Sequence, residues 1–404
     1  MLAPEPFFEP RGTPFSEYHR IKALVELGYA VDLVTYPIGR DVHLPNLRIY
    51  RCLRPPFVKR VAIGPSWLKV LLDLLLAATA LRLAGRVRYA AIHSHEEAGV
   101  LGVWLARWLN IPHLYDMHSS LPQQLSNFSY SRSRPVRYLF EWLERNMIRG
   151  SQVVITICQE LFDTVVAIGA GDRTVLIENV MGGDMGATAL VPVRQRWDIS
   201  AATPLVVYTG TFEAYQGLDL LYAAVRLLRK THPEARTLIV GGEPHQVREA
   251  RAEAERDRLP LIFAGRRPAE EIPAFIAACD ILVSPRTAGT NTPLKIYSYL
   301  RSGRPILATD LRTHTQVLET GTAMLVPPEP AALAMGIGQL IDKPAERARL
   351  AAAALELARR KYSRAVYMKQ TQRAYRKLLG VSALDGTTVG EGGHAAVVGS
   401  PPGS

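Results

Sequence analysis

Residues 280–309 constrain this chain more than any other stretch. An apolar run, Ile281-Leu282-Val283, passes into a polar loop. Thr292 is placed to cap a helix whose first position is Pro293, where a missing amide hydrogen costs nothing. The helix is expected from Leu294 to about Ser302, with Gly303 suited to end it in a left-handed conformation. Pro305 then leads into a second apolar strand, Ile306-Leu307-Ala308-Thr309. Strand, polar loop, capped helix and strand form a βαβ unit, which implies a parallel sheet. The free amides of the helix start, with Lys295 in its first turn, offer an anion site suited to a diphosphate. An ordinary βαβ unit that binds nothing would carry the same cap.

The same alternation recurs upstream. Strands are predicted at Ala30–Thr35, Tyr89–His93, His113–Met117 and Gln152–Ile157, with helices over 98–109 and 134–148. Only Met1-Leu2-Ala3 precede the first loop, so the chain is expected to begin inside its first strand. The glycine-rich run from Asn179 to Val191 breaks the pattern and reads as a linker. A second domain restarts at the strand Pro204–Thr209 and helix Gly217–Arg229. Strands Arg236–Val240 and Leu261–Ala264, and a helix over Pro273–Cys279, lead to the 280–309 unit. Residues 331–379 are predicted helical, with a break near Tyr362-Ser363. The expected organisation is a first Rossmann-like domain over 1–180, a second over 181–364, a terminal helix over 365–380 and a disordered tail over 385–404.

Composition narrows the function classes. At 404 residues the chain suits two domains. Net charge of +11 favours an acidic partner such as a nucleotide phosphate, an anionic membrane surface or nucleic acid. No aromatic-basic recognition motif supports nucleic acid. Cys52, Cys158 and Cys279 are unclustered, which argues against a disulfide scaffold or a cysteine zinc site and fits a reducing, cytoplasmic setting. No signal peptide is recognised ahead of the fold. Trp67–Ala84 is interrupted by Lys69, Asp73 and Arg82, so it reads as a core-packing helix and not a membrane span. Together with Lys59, Arg60, Arg86 and Arg88 it has a second reading as an interfacial surface.

Ligands of open parallel sheets lie beyond the carboxyl ends of the strands. After the first strand comes Glu9-Pro10-Arg11-Gly12-Thr13, where Gly12 permits close approach of a phosphate or sugar, with a helix expected from about Phe15. After the strand ending at His93 come Ser94-His95-Glu96-Glu97. His93 and His95 are expected on opposite sides of their strand, and no compact third-ligand motif follows, so no metal site is expected. His118 follows the strand 113–117. In the second domain the strand 204–209 runs into Gly210-Thr211-Phe212-Glu213-Ala214-Tyr215-Gln216-Gly217, and Gly241 and Gly265 end the next two strands.

The segment Thr292–Thr309 and the loop Tyr208–Gly217 resemble the donor-binding segments of family 4, group 1 retaining glycosyltransferases. That resemblance implies a GT-B fold: two Rossmann-like, doubly wound parallel-sheet α/β domains facing a central cleft. It implies transfer of a sugar from a nucleotide-diphosphate sugar, a co-substrate, to a glycan or lipid-linked acceptor, with retained anomeric configuration and no metal or other cofactor. A cytoplasmic enzyme of polysaccharide biosynthesis, peripheral on the inner membrane face, is what it suggests. By the resemblance His118 addresses the donor sugar, and Lys295 is the main anion contact and second catalytic residue. Gly12, Thr13, Gly210, Thr211, Gln216, Gly241, Gly265, Arg286, Thr290, Asn291, Thr292, Leu294 and Ser298 are implied to line the donor site. His93, His95 and Glu96 are implied on the acceptor side. The chain departs from the family at four positions. The usual Arg and Lys of the first phosphate loop are Thr211 and Gln216, and the usual glutamate pair falls on Thr290 and Ser298. A non-catalytic nucleotide-sugar-binding protein or a sugar-nucleotide epimerase are the alternatives those losses raise.

Overall fold

The computed structural model describes residues 1–8, 12–59, 61, 66–122, 134–179 and 191–380. Expectations for the turn 9–11, Arg60, the linker 180–190 and the tail 385–404 lie outside the described residues.

The first domain holds strands β1 (Leu2–Ala3), β2 (Val31–Thr35), β3 (Leu47–Arg51), β4 (Ile92–His95), β5 (His113–Met117), β6 (Val153–Thr156) and β7 (Thr174–Leu176). They form one parallel sheet in the order β3-β2-β1-β4-β5-β6-β7. Its helices are α1 (Gly12–Glu26), α2 (Trp67–Ala84), α3 (Gly99–Leu109), α4 (Arg134–Gly150) and α5 (Gln159–Ala167). Strand alternation divides the apolar residues between two faces. Ala3, Leu33, Leu114 and Val153 pack against α1. Leu2, Val34 and Ile92 pack under α2 and α3, while Tyr115 and Val154 pack under α4 and α5.

The second domain opens with the short α6 (Val193–Arg196), followed by β8 (Leu205–Thr209), α7 (Leu218–Leu228), β9 (Arg236–Val240), α8 (Pro244–Arg256), β10 (Leu261–Gly265), α9 (Ile272–Ala278), β11 (Ile281–Ser284), α10 (Leu294–Leu300), β12 (Ile306–Thr309), α11 (Arg312–Thr315) and β13 (Met324–Val326). Its parallel sheet runs β10-β9-β8-β11-β12-β13. Both sheets therefore reverse direction beside their first strand, between β1 and β4 and between β8 and β11. These are the switch points where open α/β sheets place ligands. The strands carry nearly unbroken apolar runs because helices cover both faces. All five residues of β8 are buried.

Three helices close the chain: α12 (Pro330–Asp342), α13 (Pro344–Lys361) and α14 (Arg364–Leu379). The break at Tyr362-Ser363 is present, with the Ser363 side chain capping α14. A second break, at Lys343-Pro344, comes from a proline that opens α13. Tyr367, Ala374, Tyr375 and Leu378 of α14 pack into the first domain's core beside α1.

Several sequence expectations shift. The strand expected at Tyr89–His93 is β4, Ile92–His95, so His95 lies inside the strand. Helix α1 begins at Gly12, not Phe15. Strands β3, β7 and β13 and helices α5, α6, α8 and α11 are additional to the elements expected. Helix α2 is only partly a core helix. Leu72, Leu76 and Ala80 are buried, while Trp67, Val70, Leu71 and Leu74 are exposed.

Candidate active site

In the second domain the ends of β8, β9 and β10 are stacked glycine turns. Gly210 donates its amide to the Val240 carbonyl at 2.9 Å, and Gly241 donates to Gly265 at 2.9 Å. A Cβ on Gly241 would stand 1.8 Å from the Gly210 carbonyl oxygen, in a backbone with φ of +127°. Gly241 is thus explained by backbone packing, which lets the Gly210 turn lie flat above the sheet. Gly217, with φ of +73°, approaches the Pro285 carbonyl in the same way. That contact ties the 210–217 loop to the loop after β11. Thr211 is exposed, and its carbonyl accepts the Tyr208 hydroxyl at 2.7 Å.

Lys295 rises between these two loops. Its Nζ lies 3.9 Å from the Tyr208 ring centroid and donates to Gln216 Oε1 at 3.4 Å. Arg286 lies beside it, over the Tyr215 ring at 4.9 Å, and donates to the Asn291 carbonyl and Thr313 Oγ1, both at 2.6 Å. Neither cation has a carboxylate partner among the described residues. Enclosure by protein first, and the Arg286 charge second, push the Lys295 ammonium well below its ordinary value. Two adjacent cations without a counter-ion make a site that favours an anion.

The cap expected at Thr292 is not made. Pro293 is the boundary residue of α10, with φ of −60° and ψ of 130°, and Thr292 Oγ1 is buried without a hydrogen-bond partner. The helix spans seven residues and ends through a turn at Gly303, whose φ of +68° is left-handed as expected. Tyr299 holds α10 to the sheet by accepting the Thr209 amide at 3.0 Å. Leu294 opens α10, and Ser298 lies one turn after Lys295, half-buried. The Thr290 carbonyl accepts Gln316 Nε2 at 2.8 Å.

In the first domain β4 and β5 end in a buried polar network. Residues i and i+2 of a strand share a face, and His93 and His95 do so: their rings stack at 4.7 Å, which overturns the expectation of opposite sides. His118 Nε2 lies 3.1 Å from His95 Nδ1 and 3.3 Å from Asp116 Oδ1. Arg20 of α1 donates to Asp116 Oδ2 at 3.0 Å. Tyr375 of α14 bonds His93 Nδ1 at 2.7 Å, and Thr371 of α14 accepts Arg20 at 3.1 Å. Burial alone would raise the Asp116 carboxyl, but Arg20 and His118 outweigh it and hold it well below the usual range. The ionised Asp116 carboxylate thus accepts from Arg20 and faces the rings of His118 and His93. Burial lowers His93 to about 4.

His93 and His95, implied on the acceptor side, are both buried. His93, His95 and Asp116 gather ligand-type atoms within 4.8 Å. Arg20 already occupies the carboxylate that a metal would need, so the group fits an ion-paired network better than a metal cradle. Glu96 stands just past β4 with φ of +46°, and its Oε2 accepts the Ser119 hydroxyl at 2.7 Å. Burial, offset in part by His118, raises its carboxyl to about 8. Gly12 and Thr13 open α1, whose start is tied by Ser16 Oγ donating to Asn179 Oδ1 at 2.5 Å.

The carboxyl ends of the two sheets meet. Asn291 Nδ2 donates to the His118 carbonyl at 2.6 Å, and Cys158 Sγ lies 3.7 Å from Asn291 Oδ1. Gln316 accepts the Glu160 amide at 3.2 Å, and Arg312 reaches Glu160 and Asp163 at 3.3 and 3.1 Å. Asn291 thus links the loop that leads into α10 and Lys295 to the loop carrying His118. The sequence pointed to Lys295, Arg286, Asn291 and His118. It gave Tyr208 only as the start of the loop 208–217, and it did not point to Arg20, Asp116, Thr371 or Tyr375. Asp116-Met117-His118, at a strand end, is the one local signal that would have found any of them.

Comparison with known proteins bears on the family and the fold. Residues 18–179 match the family model "Glycosyl transferase 4-like domain", and residues 203–343 match "Glycosyl transferases group 1". A phosphatidyl-myo-inositol mannosyltransferase of Propionibacterium freudenreichii is 25% identical over 57% of this chain, and the match spans 55% of that relative. An alpha-D-kanosaminyltransferase of Streptomyces kanamyceticus is 24% identical over 72% of this chain and 78% of its own. Among solved structures, a sucrose-phosphate synthase from Thermosynechococcus elongatus superposes with a TM-score of 0.74 at 19% identity, covering 94% of this chain and 99% of that one. Anabaena HepE in complex with UDP-glucose gives 0.70 at 20% identity, covering 94% and 99%. With both of its domains matched and its two Rossmann-like sheets in place, the chain belongs to the family 4, group 1 glycosyltransferases of GT-B fold.

Proposed function

We propose that the protein transfers a hexosyl unit from a nucleotide-diphosphate sugar to a glycan or lipid-linked acceptor, with retained anomeric configuration and without a bound metal. The observation that carries this reading is the Lys295–Arg286 pair, two adjacent cations with no counter-ion among the described residues. A diphosphate leaving group gathers negative charge as the glycosidic bond breaks, and fixed cations stabilise that charge without reorganising. In this role Lys295 and Arg286 replace the positive charges missing at Thr211 and Gln216. The amides of the Gly210 turn and the Thr290-Asn291-Thr292 loop would hold the nucleotide, with Ser298 toward the ribose. His118, fixed by Asp116, would bond the donor sugar. Glu96, protonated at neutral pH, would stand beside the acceptor.

The names of the relatives support the donor and acceptor classes. HepE is described in complex with UDP-glucose, and the mannosyltransferase is named for phosphatidyl-myo-inositol. A lipid-linked acceptor would place the enzyme peripherally at the inner face of a membrane. No described helix is long and apolar enough to cross one. Thr290 and Ser298, in place of carboxylates, favour one second reading: a protein that binds the nucleotide sugar and does not turn it over.

Incubation with UDP- and GDP-sugars, EDTA and a membrane lipid extract decides between these readings. Nucleotide release with a labelled lipid or glycan product of unchanged anomeric configuration is expected. Binding without release selects the second reading, and absence of both refutes the first and second together.

A further inference from the structure

Four of the five tryptophans lie exposed on one layer of the first domain. Trp67 of α2 is 83% exposed, Trp104 and Trp108 of α3 are 52% and 56% exposed, and Trp142 of α4 is 60% exposed. Trp104 and Trp108 stack on each other one helical turn apart, with ring centroids at 5.9 Å. Tyr138 stands one turn before Trp142 on the same stripe of α4, and Arg145 and Arg149 continue that stripe. Helices α2, α3 and α4 are neighbours in this layer, with α3 packed against both others. Each follows a parallel strand, so each starts at the carboxyl edge of the sheet, where the candidate active site lies. Exposed aromatics at this density are unusual for a surface facing only water.

Charge says what covers them. Helices α3 and α4 carry exposed Arg107, Arg134, Arg137, Arg145 and Arg149. Of the three carboxylates on these helices, two are engaged with other elements and Glu141 offsets one arginine of this set. Asp73 accepts the Tyr36 hydroxyl, Glu144 accepts the Leu121 amide, and Glu141 pairs with Arg137. The outer face therefore offers indole and phenol rings with a surplus of guanidinium groups. Trp and Tyr belong at the headgroup level of a bilayer, and arginine beside them pairs with lipid phosphate.

We propose that the outer face of α2, α3 and α4 is a docking surface for an anionic bilayer, with Trp67, Trp104, Trp108, Tyr138 and Trp142 entering the headgroup region. This names the surface by which a lipid-linked acceptor would be reached, and it rests on that reading for its purpose. The interfacial reading of Trp67–Ala84 with its flanking basic residues is thereby extended: α2 contributes one edge, and most of the exposed aromatic residues sit on α3 and α4.

The test is co-sedimentation of the full chain with vesicles of phosphatidylcholine alone or with about one-third phosphatidylglycerol, at low and physiological salt. Binding to the anionic vesicles is expected, weakened by salt. Trp104→Ser/Trp108→Ser/Trp142→Ser, and separately Arg107→Glu/Arg145→Glu, should each weaken it at least tenfold. UDP and GDP affinity, measured on every variant, should stay as in the parent and reports correct folding. No binding by the parent, equal binding to both vesicle types, or full binding by both variants overturns the proposal. Self-association in ultracentrifugation that the variants abolish also overturns it, by assigning the face to a second copy. Vesicle binding without nucleotide binding would leave the surface standing and remove the transferase reading.

Discussion

Replacing Lys295 by Met removes the charge at the cleft and keeps the stem. Among the described residues Nζ has a neutral amide oxygen at 3.4 Å and an aromatic face at 3.9 Å as partners, and Arg286 repels it. A nucleoside diphosphate would supply the missing counter-charge. The lost charge-assisted bond is worth about 1.5–3 kcal/mol, or roughly a 10- to 150-fold rise in Kd. Arg286 remains, so binding should weaken and not vanish. The sign for protons follows from the lowered Lys295 value. Binding returns the ammonium toward its ordinary range, so proton uptake accompanies binding at a pH between the free and the bound values, and affinity falls as pH rises through that window. The stability effect has the opposite sign. A lysine whose folded value is depressed costs stability below its unfolded value near 10.5, so the nucleotide-free Lys295→Met protein should melt higher than the parent at pH 7. Calorimetry with UDP and GDP in two buffers of different ionisation enthalpy, together with a melting curve, reads all three quantities. An unchanged Kd with no proton uptake in the parent, or a lower melting point of the variant without ligand, refutes the reasoning.

Gly241→Ala should cost about 2–4 kcal/mol or prevent folding, since its Cβ would meet the Gly210 carbonyl at 1.8 Å in a left-handed backbone, and urea unfolding reads this. Glu96 is raised to about 8, so the stability it contributes is full below pH 4.5 and is lost as pH rises through 8. Glu96→Gln should therefore gain melting temperature over the parent as pH rises from 5 to 9, and parallel curves would contradict this. His118→Ala should lower transfer by about a hundredfold, the cost of misplacing a reacting group, while UDP or GDP affinity changes less than about threefold.

The legible and illegible parts of this chain differ by range of interaction. The 280–309 unit could be read because caps, prolines and strand periodicity act over a few residues, and Lys295 and Gly303 stand where that local logic puts them. Even there Thr292 failed as a cap, because Pro293 in extended conformation moved the helix start one residue on. The network behind His118 was out of reach. Arg20 and Asp116 are 96 residues apart, and His93 and Tyr375 are 282 apart, so only the folded sheet and the returning α14 join them. His93 and His95 are placed on the acceptor side by resemblance alone, which cannot show that Tyr375 of α14 bonds His93 from the far end of the chain. Helix α2 looked like core because apolar residues surround it on all sides, and that pattern does not say which side stays outside.

The most direct measurement is a crystal structure of the protein with whichever of UDP and GDP it binds. The diphosphate is expected beyond the carboxyl ends of β8 and β11, within hydrogen-bond distance of Lys295 Nζ and the Arg286 guanidinium, with the β-phosphate facing His118. Phosphates that touch neither cation, or a nucleotide seated away from these strand ends, would contradict the account.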